Sequence, residues 1–96
     1  EFRDKFKGSA LKRAKRIGLQ RNACVALGNM KDLESVPALI KTLAHSDSLV
    51  RGHAAWALGQ MGDKASKNAL ELAISKEDDS WVREEIELAL SDMTEH

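Results

Sequence analysis

The sequence has almost no cysteine and no recognisable arrangement of catalytic residues. Cys24 is its one cysteine, which excludes an internal disulfide and, with no signal-peptide pattern, favours the cytoplasm. It contains no apolar run long enough to cross a membrane. No Ser-His-Asp set, glycine-rich nucleotide loop or paired carboxylates is visible, and the histidines show no metal-ligand spacing. We therefore expect a chain with no catalytic site, no metal site and no membrane partner.

Aromatic residues and proline are also scarce. The chain has two Phe, two Trp, no Tyr and one Pro, whereas Ala and Leu are abundant. Because Ala and Leu lose little conformational freedom in a helix, this composition favours helices throughout. The 96 residues are enough for one domain. The sequence thus predicts a small all-α protein.

Two patterns recur along the chain. The tripeptide Ala-Leu-Gly at residues 26–28 recurs 31 positions later at residues 57–59. Asp-Ser-Leu-Val-Arg at residues 47–51 recurs as Asp-Ser-Trp-Val-Arg at residues 79–83. Each unit is long enough for two helices, and such pairs bury their apolar faces by stacking on one another. The predicted units are residues 19–49, residues 50–81 and a half unit at residues 82–96.

Several polar residues stand where helices should begin. Asp47 and Asp79 are predicted N-caps, because a carboxylate there can accept hydrogen bonds from free backbone N–H groups. Ser35 is a third candidate, which would place Pro37 in the first helical turn, where proline costs little. Arg51 and the equivalent Arg83 would then pair with these nearby aspartates.

Small residues on the first helix of each unit are expected to let neighbouring helices pack closely. Gly28 and Gly59 lie near the ends of first helices, where they permit close approach or fraying. Cys24, between alanine and valine, is expected to be a small buried side chain without reactivity. Trp81 lies at the junction of the last units and is expected in the core. The last half unit is acidic, as suits a helix whose outer face meets solvent.

The charge is distributed unevenly, although its sum is zero. Residues 1–21 carry eight basic and two acidic side chains, a net charge of +6, and residues 22–96 carry −6. Residues 1–18 are predicted to form a basic lead segment with a short helix that begins after Ser9 and ends at Gly18, ahead of a repeat domain at residues 19–96. A solvated charged face or a linker is one interpretation. Phosphate binding is the other. The candidate contacts are Lys7, Lys12, Arg13, Lys15, Arg16, Arg21 and Asn22.

The repeat pattern, a Val-Arg opening followed by Ala-Ala-x-Ala-Leu-Gly and an Ala-Leu helix, resembles HEAT-like repeats of the phycobilisome-lyase type. That resemblance implies a short right-handed α-α superhelix of two and a half units. Residues 6–29, with Phe-Lys-Gly-Ser, Leu-Lys-Arg, Lys-Arg-x-Gly-Leu and Arg-Asn-Ala, resemble the start of the C-terminal region of epoxyqueuosine reductases. Members of that family use cobalamin and iron–sulfur clusters to act on tRNA.

The family resemblance implies a tRNA-contacting module without cofactors of its own. One cysteine cannot hold an iron–sulfur cluster, so cobalamin, the clusters and the catalytic domain would belong to an N-terminal part of the same parent protein. The chain begins at Glu1 without Met, and we expect it to be a piece of that longer protein. The alternative function is a protein–protein interaction scaffold, a common task of HEAT-like arrays.

One further group could touch a ligand. His53 and Trp56 are three positions apart, so they share one face of a helix that Arg51 opens. Packing between repeats explains them structurally. Contact with a nucleotide or partner on the inner face of the array is the functional alternative for Arg51, His53 and Trp56.

Overall fold

A computed structural model describes the backbone of residues 2–94 and the side chains of residues 15–93. Within these residues the regular secondary structure is helical throughout. The helices are α1 (Phe2–Met30), α2 (Val36–Thr42), α3 (Ser48–Met61), α4 (Lys64–Lys76) and α5 (Ser80–Thr94), with a 3-10 turn at Leu33–Ser35 before α2. Two helix pairs and one further helix confirm the all-α prediction and the count of two and a half units.

The first helix is longer than expected. We predicted a short helix that ends at Gly18, followed by a first repeat helix from Leu19, but α1 runs without a break through both positions. Glycine costs a helix only about 1 kcal/mol relative to alanine, and the flanking Lys, Arg, Leu and Ala residues are good helix formers. Gly8 and Ser9 also lie inside α1, so the helix does not begin after Ser9, as we had predicted that it would.

The core lies between two layers of helices. α3 packs against both α1 and α5, and α2 and α4 cover the other side of α3. The largest side chains that are almost completely buried come from α3, α4 and α5. They are Val50, Leu58, Leu70, Val82 and Ile86. Cys24, 5% exposed, joins this core from α1, which confirms the prediction of a small buried side chain.

Glycines set the distance between successive first helices. A Cβ built on Gly28 would lie 3.1 Å from the Cα of Ala57, and one on Gly59 would lie 3.0 Å from the Cα of Ala89. These distances are shorter than ordinary carbon–carbon contacts. The same close contact therefore recurs in register between α1 and α3 and between α3 and α5, so close approach, rather than fraying, is the role of both glycines.

The aspartate caps form as predicted. Asp47 accepts a hydrogen bond from the Leu49 N–H at 2.9 Å, and Asp79 accepts one from the Val82 N–H at 3.0 Å. Pro37 lies in the first turn of α2. Ser35 occupies the N-cap position of α2 as predicted, but its side chain makes no capping hydrogen bond, because its hydroxyl donates to Asp32 instead.

Replacing Asp47 with alanine should lower the free energy of unfolding by about 1 kcal/mol, the usual loss when an N-cap acceptor is removed. Urea unfolding at neutral pH measures the effect. Asp78→Ala is the matched control, because Asp78 is exposed and makes no hydrogen bond within the described residues. Equal losses in the two variants would contradict the capping role.

No helix in the described residues is long and apolar enough to cross a membrane.

Candidate nucleic-acid interface

The basic candidates lie along α1. Lys15 and Arg16 are exposed, and Arg21 is half-buried, with its Nε and Nη2 donating to the Asn22 side-chain oxygen at 3.3 and 3.1 Å. Lys15 and Asn22 are seven positions apart, so they face the same way along the helix. The side chains of Lys7, Lys12 and Arg13 lie outside the described residues, although their backbone belongs to α1.

α1 extends well beyond the helix that supports it. With 29 residues it is about 44 Å long, whereas α3, with 14 residues, is about 21 Å. Among residues 15–30, the buried positions are Cys24 and Gly28, both near the C-terminal end of α1. The positively charged N-terminal half therefore projects from the repeats, which gives the molecule principal extents of 55 × 27 × 17 Å.

Lys15 and Arg16, the exposed cations of α1 whose side chains are described, are not neutralised by described neighbours. Among the side chains that are described, residues 15–93, one ion pair is present. It joins Arg51 to Glu77, and neither residue belongs to α1. Lys15 and Arg16 therefore face solvent without an acidic partner among residues 15–93. Exposed cations of this kind on a helix can contact the phosphates of a polyanion without reading its sequence.

Arg51 has a structural partner that we did not predict. Instead of Asp47 or Asp79, it binds Glu77 with two parallel hydrogen bonds, Nε to Oε1 at 3.0 Å and Nη2 to Oε2 at 2.9 Å. Its Nη1 donates to the His45 carbonyl at 2.8 Å. The guanidinium thus connects the loop before α3 to the loop before α5. Arg83 likewise binds backbone carbonyls, those of Ile74 and Glu77, rather than an aspartate.

The Arg51–Glu77 pair is largely shielded from water, since its side chains are 20% and 7% exposed. The hydrogen bonds from Arg51 hold the pKa of the Glu77 carboxyl below its ordinary value. The same bonds raise the pKa of Arg51. The bond to His45 joins the first unit to the second, and the pair with Glu77 joins the start of the second unit to its end. This geometry gives Arg51 a role in stability, apart from the predicted contact surface.

The other two predicted contact residues do lie together. His53 and Trp56 line one groove, with a volume of about 340 Å³, alongside Val25, Gly52, Trp81 and Glu85. The Nδ1 of His53 lies 2.8 Å from the Leu49 carbonyl oxygen, so this nitrogen carries a proton and donates. The ring centroids of His53 and Trp81 are 5.8 Å apart. Arg51 does not line this groove, so the three predicted residues do not form one site.

The prediction that Trp81 lies in the core is wrong, because the residue is 39% exposed. Its six-membered ring covers Gly52, where any Cβ would collide with it. Since Trp81 and Glu85 are four positions apart on α5, both project into the groove beside α3. We did not predict either residue as a ligand contact, although the repeated Asp-Ser-x-Val-Arg pattern places Trp81 at the position equivalent to Leu49.

The chain matches the family of HEAT repeats over residues 8–91, and it belongs to that family. It is 40% identical over 89 residues to an epoxyqueuosine reductase from Bacillus subtilis. The aligned region covers 91% of this chain and 23% of the reductase. An uncharacterised protein from the gldA 3′ region of Geobacillus stearothermophilus is 44% identical over 88 residues, or 90% of this chain and 40% of that protein. The predicted resemblance to the HEAT-like module of the reductases is confirmed.

The fold comparison gives the same result. A crystal structure of an epoxyqueuosine reductase with an epoxyqueuosine-modified tRNA-Tyr stem loop superposes with a TM-score of 0.74 and 37% sequence identity. The match covers 77% of this chain and 20% of that one. The chain therefore spans well under half the length of the relatives it matches.

Proposed function

We propose that this chain is a non-catalytic HEAT-like module that helps an epoxyqueuosine reductase bind tRNA, with the N-terminal half of α1 contacting the phosphates. The observation that supports the proposal most is that Lys15 and Arg16 are exposed without an acidic partner among residues 15–93, on a helix whose basic N-terminal half extends beyond the repeats. A structural relative that holds a tRNA stem loop supports it independently.

The redox chemistry of such an enzyme does not fit the residues present. An iron–sulfur cluster needs several cysteine thiolates, and this chain has one cysteine, which is buried. Burial also raises the pKa of the Cys24 thiol, which disfavours the thiolate form that binds metals. We infer that cobalamin, the clusters and the catalytic domain belong to another part of a cytoplasmic parent protein. This chain would contribute affinity for tRNA.

Replacing Lys12, Arg13, Lys15 and Arg16 together with glutamine should abolish the retention of tRNA in a filter-binding assay. Glutamine is almost as good a helix former as lysine or arginine, so α1 should remain intact, which circular dichroism can verify. Dissociation constants near the micromolar range of non-specific binding are expected for the unmodified chain at low salt.

The matched control removes four positive charges elsewhere. Lys41, Lys64, Lys67 and Lys76 are exposed on α2 and α4, and none is paired with an acid within the described residues. Glutamine at these four positions should reduce tRNA affinity less than threefold, through the change in net charge alone. If both quadruple variants lost retention equally, α1 would not be the site of contact.

A further inference from the structure

The groove formed by His53, Trp56, Trp81 and Glu85 lies on the surface of the first-helix layer and has no assigned role. It combines two indole rings and the imidazole of His53 with one carboxylate. The groove is also fixed in shape, because Trp81 rests on Gly52 and the Nδ1 of His53 is bound to the Leu49 carbonyl. A site with this shape and composition can select a ligand without rearranging.

The chemistry of the lining favours a cation. The face of an indole ring attracts ammonium and guanidinium groups, and arginine stacks on tryptophan more often than lysine does. A guanidinium can also donate two parallel hydrogen bonds to a carboxylate. Glu85 forms no hydrogen bond or ion pair within the described residues, so its oxygens are available for such a pair.

The surroundings disfavour nucleic acid at this groove. None of its lining residues is Lys or Arg, and Glu85 belongs to a helix that exposes three further acids. These are Glu84, Glu87 and Asp92. A phosphate backbone would be repelled by this acidic helix, whereas a basic peptide would be attracted to it.

We propose that this groove binds an arginine side chain from a partner protein, with the guanidinium between the two tryptophans and paired to the Glu85 carboxylate. The site is independent of the proposed tRNA contact, since it uses α3 and α5 and not the basic half of α1.

The two tryptophans provide the assay, because the chain contains no others and both line the groove. The probe is a short acetylated, amidated peptide with two arginines, titrated into the 96-residue chain while tryptophan fluorescence is recorded. We expect saturable quenching. The same peptide with citrulline in place of arginine keeps the shape but lacks the charge, and it should bind at least tenfold more weakly.

Glu85→Gln should weaken binding of the arginine peptide about tenfold, the usual effect of losing one charged hydrogen-bonded pair. Glu87→Gln is the matched control on another face of α5 and should change binding less than twofold. The α1 variant with four glutamines should bind the peptide as tightly as the unmodified chain, and Glu85→Gln should retain tRNA normally.

Three results would overturn the assignment. Equal binding of the citrulline and arginine peptides would exclude recognition of the guanidinium. Stronger quenching by a single-stranded oligonucleotide, unaffected by Glu85→Gln, would assign the groove to nucleobases. Self-association of the chain that disappears in Glu85→Gln would assign it to a second copy.

Discussion

Replacing Gly59 with leucine is expected to lower the free energy of unfolding by about 3 kcal/mol, at the upper end of the cost of overpacking a core. A Cβ at this position would lie 2.7 Å from the Cβ and 3.0 Å from the Cα of Ala89. The Ala89 backbone cannot turn away as a long side chain would, so α3 and α5 must move apart. Small domains are stable by only about 5–15 kcal/mol, so a large part of the stability would be lost. Urea unfolding measures the change.

Gly18→Leu is the matched control. Apart from the adjacent backbone of α1 itself, a Cβ at Gly18 would meet no atom within 4 Å, so the substitution should add helix propensity without a clash. We expect a gain of up to about 1 kcal/mol. A comparable loss of unfolding free energy in both variants would contradict this account. It would show that glycine is needed at both positions for its backbone conformation, and not for the contact between α3 and α5.

Arg51→Met should cost about 2–3 kcal/mol, because it leaves the shielded Glu77 carboxylate without its two charged hydrogen bonds. Methionine keeps much of the aliphatic volume, so the loss reports on the charged group. The double variant Arg51→Met/Glu77→Gln should lose less than the sum of the two single variants, because the residues interact directly. Additive losses would mean that the pair contributes no coupling energy.

The same pair makes stability depend on pH. Because the folded-state pKa of Glu77 is lowered, its contribution is fully present above the unfolded-state pKa of about 4.3. It is lost as the pH falls from there through the lowered folded-state pKa. The unmodified chain should therefore lose more stability between neutral and acidic pH than Glu77→Gln, as measured by urea unfolding at a series of pH values. Parallel pH profiles would contradict this role.

The repeat architecture could be predicted because its determinants are either local or repeated in register. The aspartate caps act within a few positions of the chain, and the small residues that bring successive first helices together recur at a spacing of 31 residues. The continuity of α1 through Gly18 was missed because a single glycine is a weak helix breaker, and its effect depends on the whole surrounding segment.

The interactions that define the sites could not be read from spacing. Arg51 and Glu77 are 26 positions apart, and they meet only because two loops lie on the same end of the stacked helices. Trp81 was expected in the core because large aromatic side chains usually bury most of their surface. Its partial exposure follows from the glycine beneath it, which lets the ring lie flat on α3 and form one wall of a groove.

The most direct test of the central proposal is the salt dependence of tRNA affinity for the unmodified chain and for the variant with glutamine at Lys12, Arg13, Lys15 and Arg16. Each phosphate neutralised by a cation contributes about −0.7 to −0.9 to the slope of log affinity against log salt. We expect a slope of roughly −3 to −5 for the unmodified chain and a slope about 3 units shallower for the variant. Equal slopes in the two proteins would contradict the proposal that the N-terminal half of α1 contacts the phosphates.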